Sequence, residues 1–278
     1  MNNINAGIIG FPIKHSLSPL IHQYWMKKNN IKGQYLTFDV KQNEISAFIK
    51  GAIKKNLVGF NVTIPHKQNI MPFLDEISEE ARAIGAVNTV LIKKNKLLGY
   101  NTDTYGFVEN LNKNIPQWRK KRGSVIILGA GGAARAAVWS LLCNDYADIK
   151  IVNRSKDRAI KLISDMKKFF PNSSLICIND YELAIKDAVF LINSTSLGMK
   201  SQPPLNIKLE KMKRKAIVYD LVYSPLKTEL LLQAEKLHFI TVGGLGMLLY
   251  QARPAFKMWY GKSVKIDREL KKKVLEQL

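Results

Sequence analysis

The chain has only two cysteines in 278 residues, Cys143 and Cys177, and neither belongs to a CxxC pair or a Cys/His cluster. That excludes a disulfide scaffold and a thiolate metal site, and it fits a reducing compartment. No apolar run approaches the ~18 residues that a membrane-spanning helix needs; stretches such as 125–132 and 188–192 are far shorter. The first residues, Met1-Asn2-Asn3-Ile4-Asn5, show no basic segment followed by an apolar one, so a secretory leader is not expected and a cytoplasmic location is. Internal repeats, low-complexity linkers and a G-x-S-x-G elbow are missing too. Adjacent His15 and Ser16 cannot form a catalytic triad by themselves, so serine hydrolysis is set aside.

Acids are scarce beside bases, 22 against 43, for a formal net charge of +21. Such an excess raises the question of nucleic-acid binding. The lysines, however, spread from Lys14 to Lys273, and the runs 119–122 and 271–273 lie far apart. No aromatic-basic interleaving, zinc finger or RNA-binding signature accompanies them. The charge reads as a lysine-rich solvated surface that helps capture an anionic substrate and a phosphate-rich cofactor, with no nucleic-acid partner expected.

What the sequence does contain is alternation. Apolar residues make up 46 % and charged ones 23 %, as in a globular protein, and the length favours two domains. Strand patterns at 6–10, 35–40 and 58–62 alternate with helical ones at 19–28 and 44–54, which predicts an α/β sheet. Ser78-Glu79-Glu80 reads as a helix start with a capping serine and acids in the first turn. Segments 86–92 and 96–100 read as a hairpin, and 112–123 as a connection into a second unit. The last forty residues read as helical, with Ala252, Phe256, Trp259 and then Leu270, Val274, Leu278 on apolar faces.

The second unit opens with Val125-Ile126-Ile127-Leu128-Gly129-Ala130-Gly131-Gly132-Ala133-Ala134. A buried strand, a glycine turn and an alanine-rich helix over 133–142 fit G-x-G-x-x-A, with Gly129, Gly131 and Ala134 at the key positions. Gly129 permits the tight turn, Gly131 lets a pyrophosphate approach the backbone, and the helix N-terminus supplies N–H groups and a favourable dipole. Ala130, Gly132 and Ala133 complete this loop. About twenty residues later an NAD-binding unit places an acid on the ribose. Here Asn153, Arg154 and Ser155 stand instead, followed by Arg158. An acid would repel a 2′-phosphate, whereas Arg154 can pair with one and stack on the adenine, so NADP is the expected cofactor. The competing reading makes Arg154 and Arg158 ordinary surface charges.

Further motifs occur in fixed order: 10–19 (GFPIKHSLSP), 61–67 (NVTIPHK), 85–89 (GAVNT), 99–103 (GYNTD), 193–199 (NSTSLGM), 220–225 (DLVYSP) and 246–251 (GMLLYQ). As an ordered set spanning nearly the whole chain they resemble the shikimate dehydrogenase family. The resemblance implies reversible hydride transfer between NADPH and 3-dehydroshikimate, giving shikimate for aromatic amino-acid (chorismate) biosynthesis. It implies that Lys67 and Asp103 are the catalytic pair. A cation beside a reduced ketone stabilises developing negative charge and can deliver a proton, and a carboxylate orients it. Ser16 and Ser18 are implied to bind the substrate carboxylate. Ser18 followed by Pro19 also reads as an N-cap, while Ser16 has no comparable local role. Asn61, Thr63, Asn88 and Gln251 are implied to contact the substrate or shape its pocket, and Tyr223 to lie on the substrate side. Thr195, Gly198 and Met199 fall on a loop expected near the nicotinamide, Leu221 and Gly244 belong to the cofactor set, and Gly243 and Gly246 let backbone pass closely. The chain departs from the family pattern at Gly243-Gly244 and at Arg253-Pro254. No metal is expected.

These readings give an α/β protein of two domains. An N-terminal substrate and catalytic domain (1–103) precedes a Rossmann-type NADP-binding domain (104–238), and C-terminal helices (239–278) return to the first, with the active site expected in the cleft. The neighbouring alternative is a quinate/shikimate dehydrogenase of dual specificity. A cofactor-binding regulator without catalysis and a nucleic-acid binder are the alternatives from other classes. The chain is expected to work as a monomer or homodimer.

Overall fold

The computed structural model describes residues 4–182, 184–200 and 202–278, so Met1, Asn2 and Asn3 of the leader argument lie outside it. The chain divides into two compact units, Met1–Thr102 with Leu249–Gln277, and Asp103–Leu248.

The first unit runs β1 (Asn5–Gly10), α1 (Ser18–Lys28), β2 (Tyr35–Asp39), α2 (Ile45–Lys54), β3 (Leu57–Val62), β4 (Glu76–Ile77), α3 (Glu79–Ile84), β5 (Thr89–Lys93) and β6 (Lys96–Tyr100). Its sheet has the order β2-β1-β3-β5-β6-β4, with β1 parallel to β2 and β3, and β5 antiparallel to β3 and β6. Ser78 caps α3 as expected, its hydroxyl accepting from the Ala81 N–H. The β5–β6 hairpin is also as expected from Lys96 on. Its first strand begins only at Thr89, although the Asn88 backbone already bonds Tyr100 and Val62 on the two neighbouring strands. The turn residues Lys94 and Asn95 both have positive φ, which a two-residue hairpin of the twisted kind requires.

The second unit runs α4 (Asp103–Asn114), β7 (Ser124–Leu128), α5 (Gly132–Leu142), β8 (Asp148–Val152), α6 (Lys156–Lys167), β9 (Ser174–Ile178), β10 (Ala188–Asn193), β11 (Ile217–Asp220), α7 (Glu229–Lys236) and β12 (Ile240–Val242). All its strands are parallel in the order β12-β11-β10-β7-β8-β9, the doubly wound arrangement. Successive residues of β7 show why its pattern is continuously apolar. Val125 and Ile127 enter one core with Phe107, Val138 and Leu162, while Ile126 and Leu128 enter another with Leu230 and Ala234.

Two expectations change here. Helix α4 extends to Asn114 and already belongs to the second unit, so 112–123 does not join the two units and its irregular stretch is shorter. The last forty residues are not all helical either: β12 pairs with β11 before α8 (Leu245–Tyr260) and α9 (Arg268–Glu276) follow. Residues 240–242 therefore belong to the second sheet. Three residues are too few to show a period, and pairing with β11 together with the core contacts of Ile240 and Val242 stabilises them.

Helix α8 starts in the second unit and ends in the first without interruption, continuing through Pro254. Arg253 donates to the Val264 carbonyl at 3.0 Å and fastens the returning chain. Beyond Leu249 the helix supplies Phe256 and Trp259 to an aromatic layer with His22, Trp25 and Tyr35. Gly59 makes room for it. A Cβ there would lie 2.1 Å from Trp259 Nε1, whose N–H donates to the Val90 carbonyl at 3.0 Å.

Candidate active site

The sequence motifs follow the carboxyl ends of strands that run in one direction within each unit. In the first unit they follow β1, β3 and β6, with Asn88 at the adjoining start of β5; in the second they follow β7, β8, β10, β11 and β12. That is the end of an open α/β sheet at which ligands bind.

In the first unit, Asn61 ends β3 beside Thr89 of β5. Asn61 Nδ2 donates to the Asn88 carbonyl at 3.1 Å and to Thr89 Oγ1 at 3.0 Å, and its Oδ1 accepts from the Tyr35 phenol at 2.7 Å. Asn88 Oδ1 accepts from the Thr102 N–H at 2.7 Å and from Thr89 Oγ1 at 3.1 Å. Its Nδ2 donates to Thr102 Oγ1 at 3.0 Å and to Gln251 Oε1 at 3.3 Å. All six of these side chains are buried. So much polar surface in one place is tolerated because each group is hydrogen-bonded to another. The structure thus brings together Asn61, Asn88 and Gln251 of the four residues grouped from sequence, while Thr63 is not a member of these hydrogen bonds. It adds Tyr35, Thr89 and Thr102, which sequence reasoning missed. Thr102 stood one place before a residue already singled out, and that was the available signal.

Tyr35 is pushed well above the ordinary tyrosine range by burial, opposed by the Ser18 hydroxyl. His22 stacks on it with ring centroids 4.3 Å apart and planes within 2°. Burial lowers the His22 pKa to about 3, so this ring is neutral.

At the start of α1 the local roles of the serines are reversed from expectation. Ser16 Oγ accepts the Ser18 N–H at 3.3 Å, and Leu17, not Ser18, is the N-cap, with no side-chain bond from it. Proline lies in the first turn, as foreseen. Ser18 is buried and Ser16 half-buried, so an accepting Ser16 oxygen still leaves its proton for a ligand. Thr63 and Lys67 are half-buried on the loop after β3. Asp103 is buried as the first residue of α4.

In the second unit, Gly129 turns the chain with φ +106°, and its N–H donates to the Val152 carbonyl at 2.8 Å. Ala130 is buried, while Gly131 is exposed and Gly132 and Ala133 are half-buried where α5 begins. A Cβ on Gly131 would meet nothing within 4 Å, so packing does not explain this glycine. Open space at the start of an eleven-residue helix is the cradle that a pyrophosphate requires. After β8, Arg154, Ser155 and Arg158 are exposed, and Asn153 is half-buried with its amide on the Ser155 carbonyl at 2.7 Å. No acid stands at the end of β8 itself, and Arg154, Lys156 and Arg158 outnumber the one acid of the first turn of α6, Asp157, a balance that fits a 2′-phosphate. The residues present therefore fit NADP.

The loop after β10 is fixed by Asn193. Its Oδ1 accepts from Thr195 N at 3.0 Å and Thr195 Oγ1 at 2.7 Å, and its Nδ2 donates to Asp220 at 2.9 Å. Asp220 also accepts from Thr228 Oγ1 at 2.6 Å and Val222 N at 3.0 Å. Burial raises its pKa, with those donors pulling the other way. Thr195, Gly198, Met199, Leu221 and Tyr223 are half-buried on these two loops, and burial raises the Tyr223 phenol. Gly244 is buried against the Leu221 carbonyl, Gly243 accepts from Asn110 through its carbonyl, and Gly246 faces the Asn110 side chain. Among the described residues no His/Cys/Asp/Glu group could hold a metal ion, and no helix is long and apolar enough to cross a membrane.

Residues 8–90 match the shikimate dehydrogenase substrate binding domain, and residues 110–223 match the shikimate / quinate 5-dehydrogenase domain. The chain is 41 % identical over 274 residues to a shikimate dehydrogenase (NADP(+)) of Cereibacter sphaeroides, covering 97 % of this chain and 96 % of that one. The crystal structure of shikimate dehydrogenase from Aquifex aeolicus superposes with a TM-score of 0.87 at 34 % identity over 99 % of both chains. The Thermus thermophilus shikimate 5-dehydrogenase, in complex with NADP(H) and shikimate, gives 0.84 at 30 % identity, again over 99 % of both.

Proposed function

The chain belongs to the shikimate dehydrogenase family, and from that premise we propose that it interconverts 3-dehydroshikimate and shikimate with NADP as cofactor. The observation that carries the reading is the placement of the family motifs at one end of each sheet, after the carboxyl ends of strands running in one direction and, for 85–89, at the adjoining start of the antiparallel β5.

Bound NADPH supplies the hydride. Gly129, Ala130, Gly131, Gly132 and Ala133 would hold its pyrophosphate through backbone N–H groups. Arg154, aided by Asn153, Ser155 and Arg158, would hold the 2′-phosphate. Thr195, Met199, Leu221 and Gly244 would line the nicotinamide. Ser16 and Ser18 would bind the substrate carboxylate, Ser16 through its hydroxyl hydrogen. Asn61, Thr63, Asn88 and Gln251 would form or shape the polar pocket for the ring hydroxyls, and Tyr223 would be a substrate-side residue. As the ketone is reduced, the Lys67 ammonium stabilises the growing alkoxide and protonates it; in the reverse direction its amine accepts that proton. Asp103 orients the ammonium and accepts a hydrogen bond from the substrate hydroxyl.

The setting proposed is the cytoplasm, where both cysteines remain thiols, with no nucleic-acid partner and a monomer or homodimer as the working form. The test is initial-rate absorbance at 340 nm with shikimate or quinate, each with NADP⁺ or NAD⁺. Rapid NADPH formation from shikimate is expected. Comparable rates with quinate would transfer the chain to the dual-specificity branch, and no rate in any combination would overturn the reading.

A further inference from the structure

We propose that Tyr35 is a positioning residue of the substrate site, acting through Asn61 and leaving that amide able to meet a substrate hydroxyl only as an acceptor. The inference rests on the functional reading above and deepens it.

The polarity of the buried network is fixed by two backbone groups. The Asn88 carbonyl can only accept, so the Asn61 atom 3.1 Å from it must be Nδ2. Oδ1 then faces Tyr35, and the phenol at 2.7 Å must be the donor. The second N–H of Asn61 is engaged by Thr89 Oγ1 at 3.0 Å. Both donors of Asn61 are thus committed inside the protein, and one lone pair of Oδ1 holds Tyr35. A second lone pair is what this amide has to offer a ligand. Asn88 is settled in the same manner: the Thr102 N–H at 2.7 Å requires Oδ1, so Nδ2 faces Thr102 Oγ1 and Gln251 Oε1. Its role is to order the pocket wall.

Tyr35 suits this task because its ring cannot drift. It is 2 % exposed, lies flat against His22 and touches Trp259 at a centroid distance of 6.1 Å. Burial keeps the phenol protonated, so it donates throughout the working pH range. Without that donor, Asn61 Oδ1 would be buried with one partner fewer, and the amide would lose the contact that holds its oxygen in place.

The test uses Tyr35→Phe, which keeps the ring and removes the hydroxyl. With saturating NADP⁺, the KM for shikimate should rise about tenfold, with kcat within about threefold and the KM for NADP⁺ unchanged. In an Asn61→Ala background the same substitution should alter the shikimate KM by less than about twofold, because the effect passes through Asn61. Thr89→Val, which removes the Asn61 partner on the other side, should repeat the KM rise. A hydroxyl with a merely structural role would lower the melting temperature and leave KM alone; that result, or an equal KM rise in both backgrounds, overturns the proposal. Absence of shikimate oxidation by the unmodified chain would instead overturn the functional reading, and this inference with it.

Discussion

Lowering the pH should destabilise this protein through one histidine. His22 is fully buried, with rings of Trp25, Tyr35, Phe256 and Trp259 around it and no hydrogen-bond partner on either ring nitrogen among the described residues. Its pKa is lowered from 6.5 to about 3 by burial. Below pH 6.5 the unfolded chain takes up a proton that the folded chain refuses, so stability falls with pH and levels off only near the folded pKa. At pH 5 the unfolded state gains roughly a 30-fold statistical weight from that proton, which is about 2 kcal/mol less stability than at pH 7.5. The figure hardly depends on the folded pKa as long as it stays below about 4. His22→Phe keeps an aromatic plate against Tyr35 and removes the titration. Urea unfolding of both proteins at pH 7.5 and pH 5.0, followed by tryptophan fluorescence, isolates the effect because other titrating groups cancel in the difference. The unmodified protein should lose about 2 kcal/mol more than the variant. Equal losses in the two proteins would refute the reasoning.

Four further outcomes are expected. Lys67→Ala should lower kcat by about 10²–10⁴ while the KM for NADP⁺ stays within about threefold; near-normal turnover would remove Lys67 from the chemistry. Arg154→Asp should reduce the NADP⁺/NAD⁺ ratio of kcat/KM about a hundredfold, and an unchanged ratio would deny the phosphate contact. Ser16→Ala should raise the shikimate KM about tenfold with little change in kcat, and a constant KM would dissociate Ser16 from the carboxylate. Gly59→Ala should destabilise by about 3 kcal/mol or more, because its Cβ would lie 2.1 Å from Trp259 Nε1 and 2.2 Å from the Val90 carbonyl oxygen. A melting temperature equal to that of the unmodified protein would contradict this packing.

What could be read from sequence was whatever neighbours along the chain decide. The β7 strand and its glycine turn lie within ten residues, so their pattern is complete in one window. The Ser78 cap is likewise local. Strand β12 was missed because only β11 reveals it. Thr89, Thr102 and Tyr35 were missed for a related reason. The Asn88–Gln251 bond joins residues 163 positions apart and Tyr35–Asn61 joins residues 26 apart, separations at which no periodicity speaks. The serines show the opposite failure. Ser18-Pro19 looked like a cap by residue type, but the backbone places the helix start at Leu17 and gives the accepting role to Ser16.

The first compact unit is made of two pieces of chain, Met1–Thr102 and Leu249–Gln277, whereas the second is one unbroken stretch. On the ribosome this reverses the usual order of events. At about 5–20 residues per second, roughly 10–30 s pass between completion of residue 102 and arrival of the segment carrying Phe256 and Trp259. During that interval His22, Trp25 and Tyr35 have no Phe256 or Trp259 to pack against, while the stretch 103–248 can already close. The nascent chain is therefore most prone to aggregation in the half that was made first, and that half is completed last.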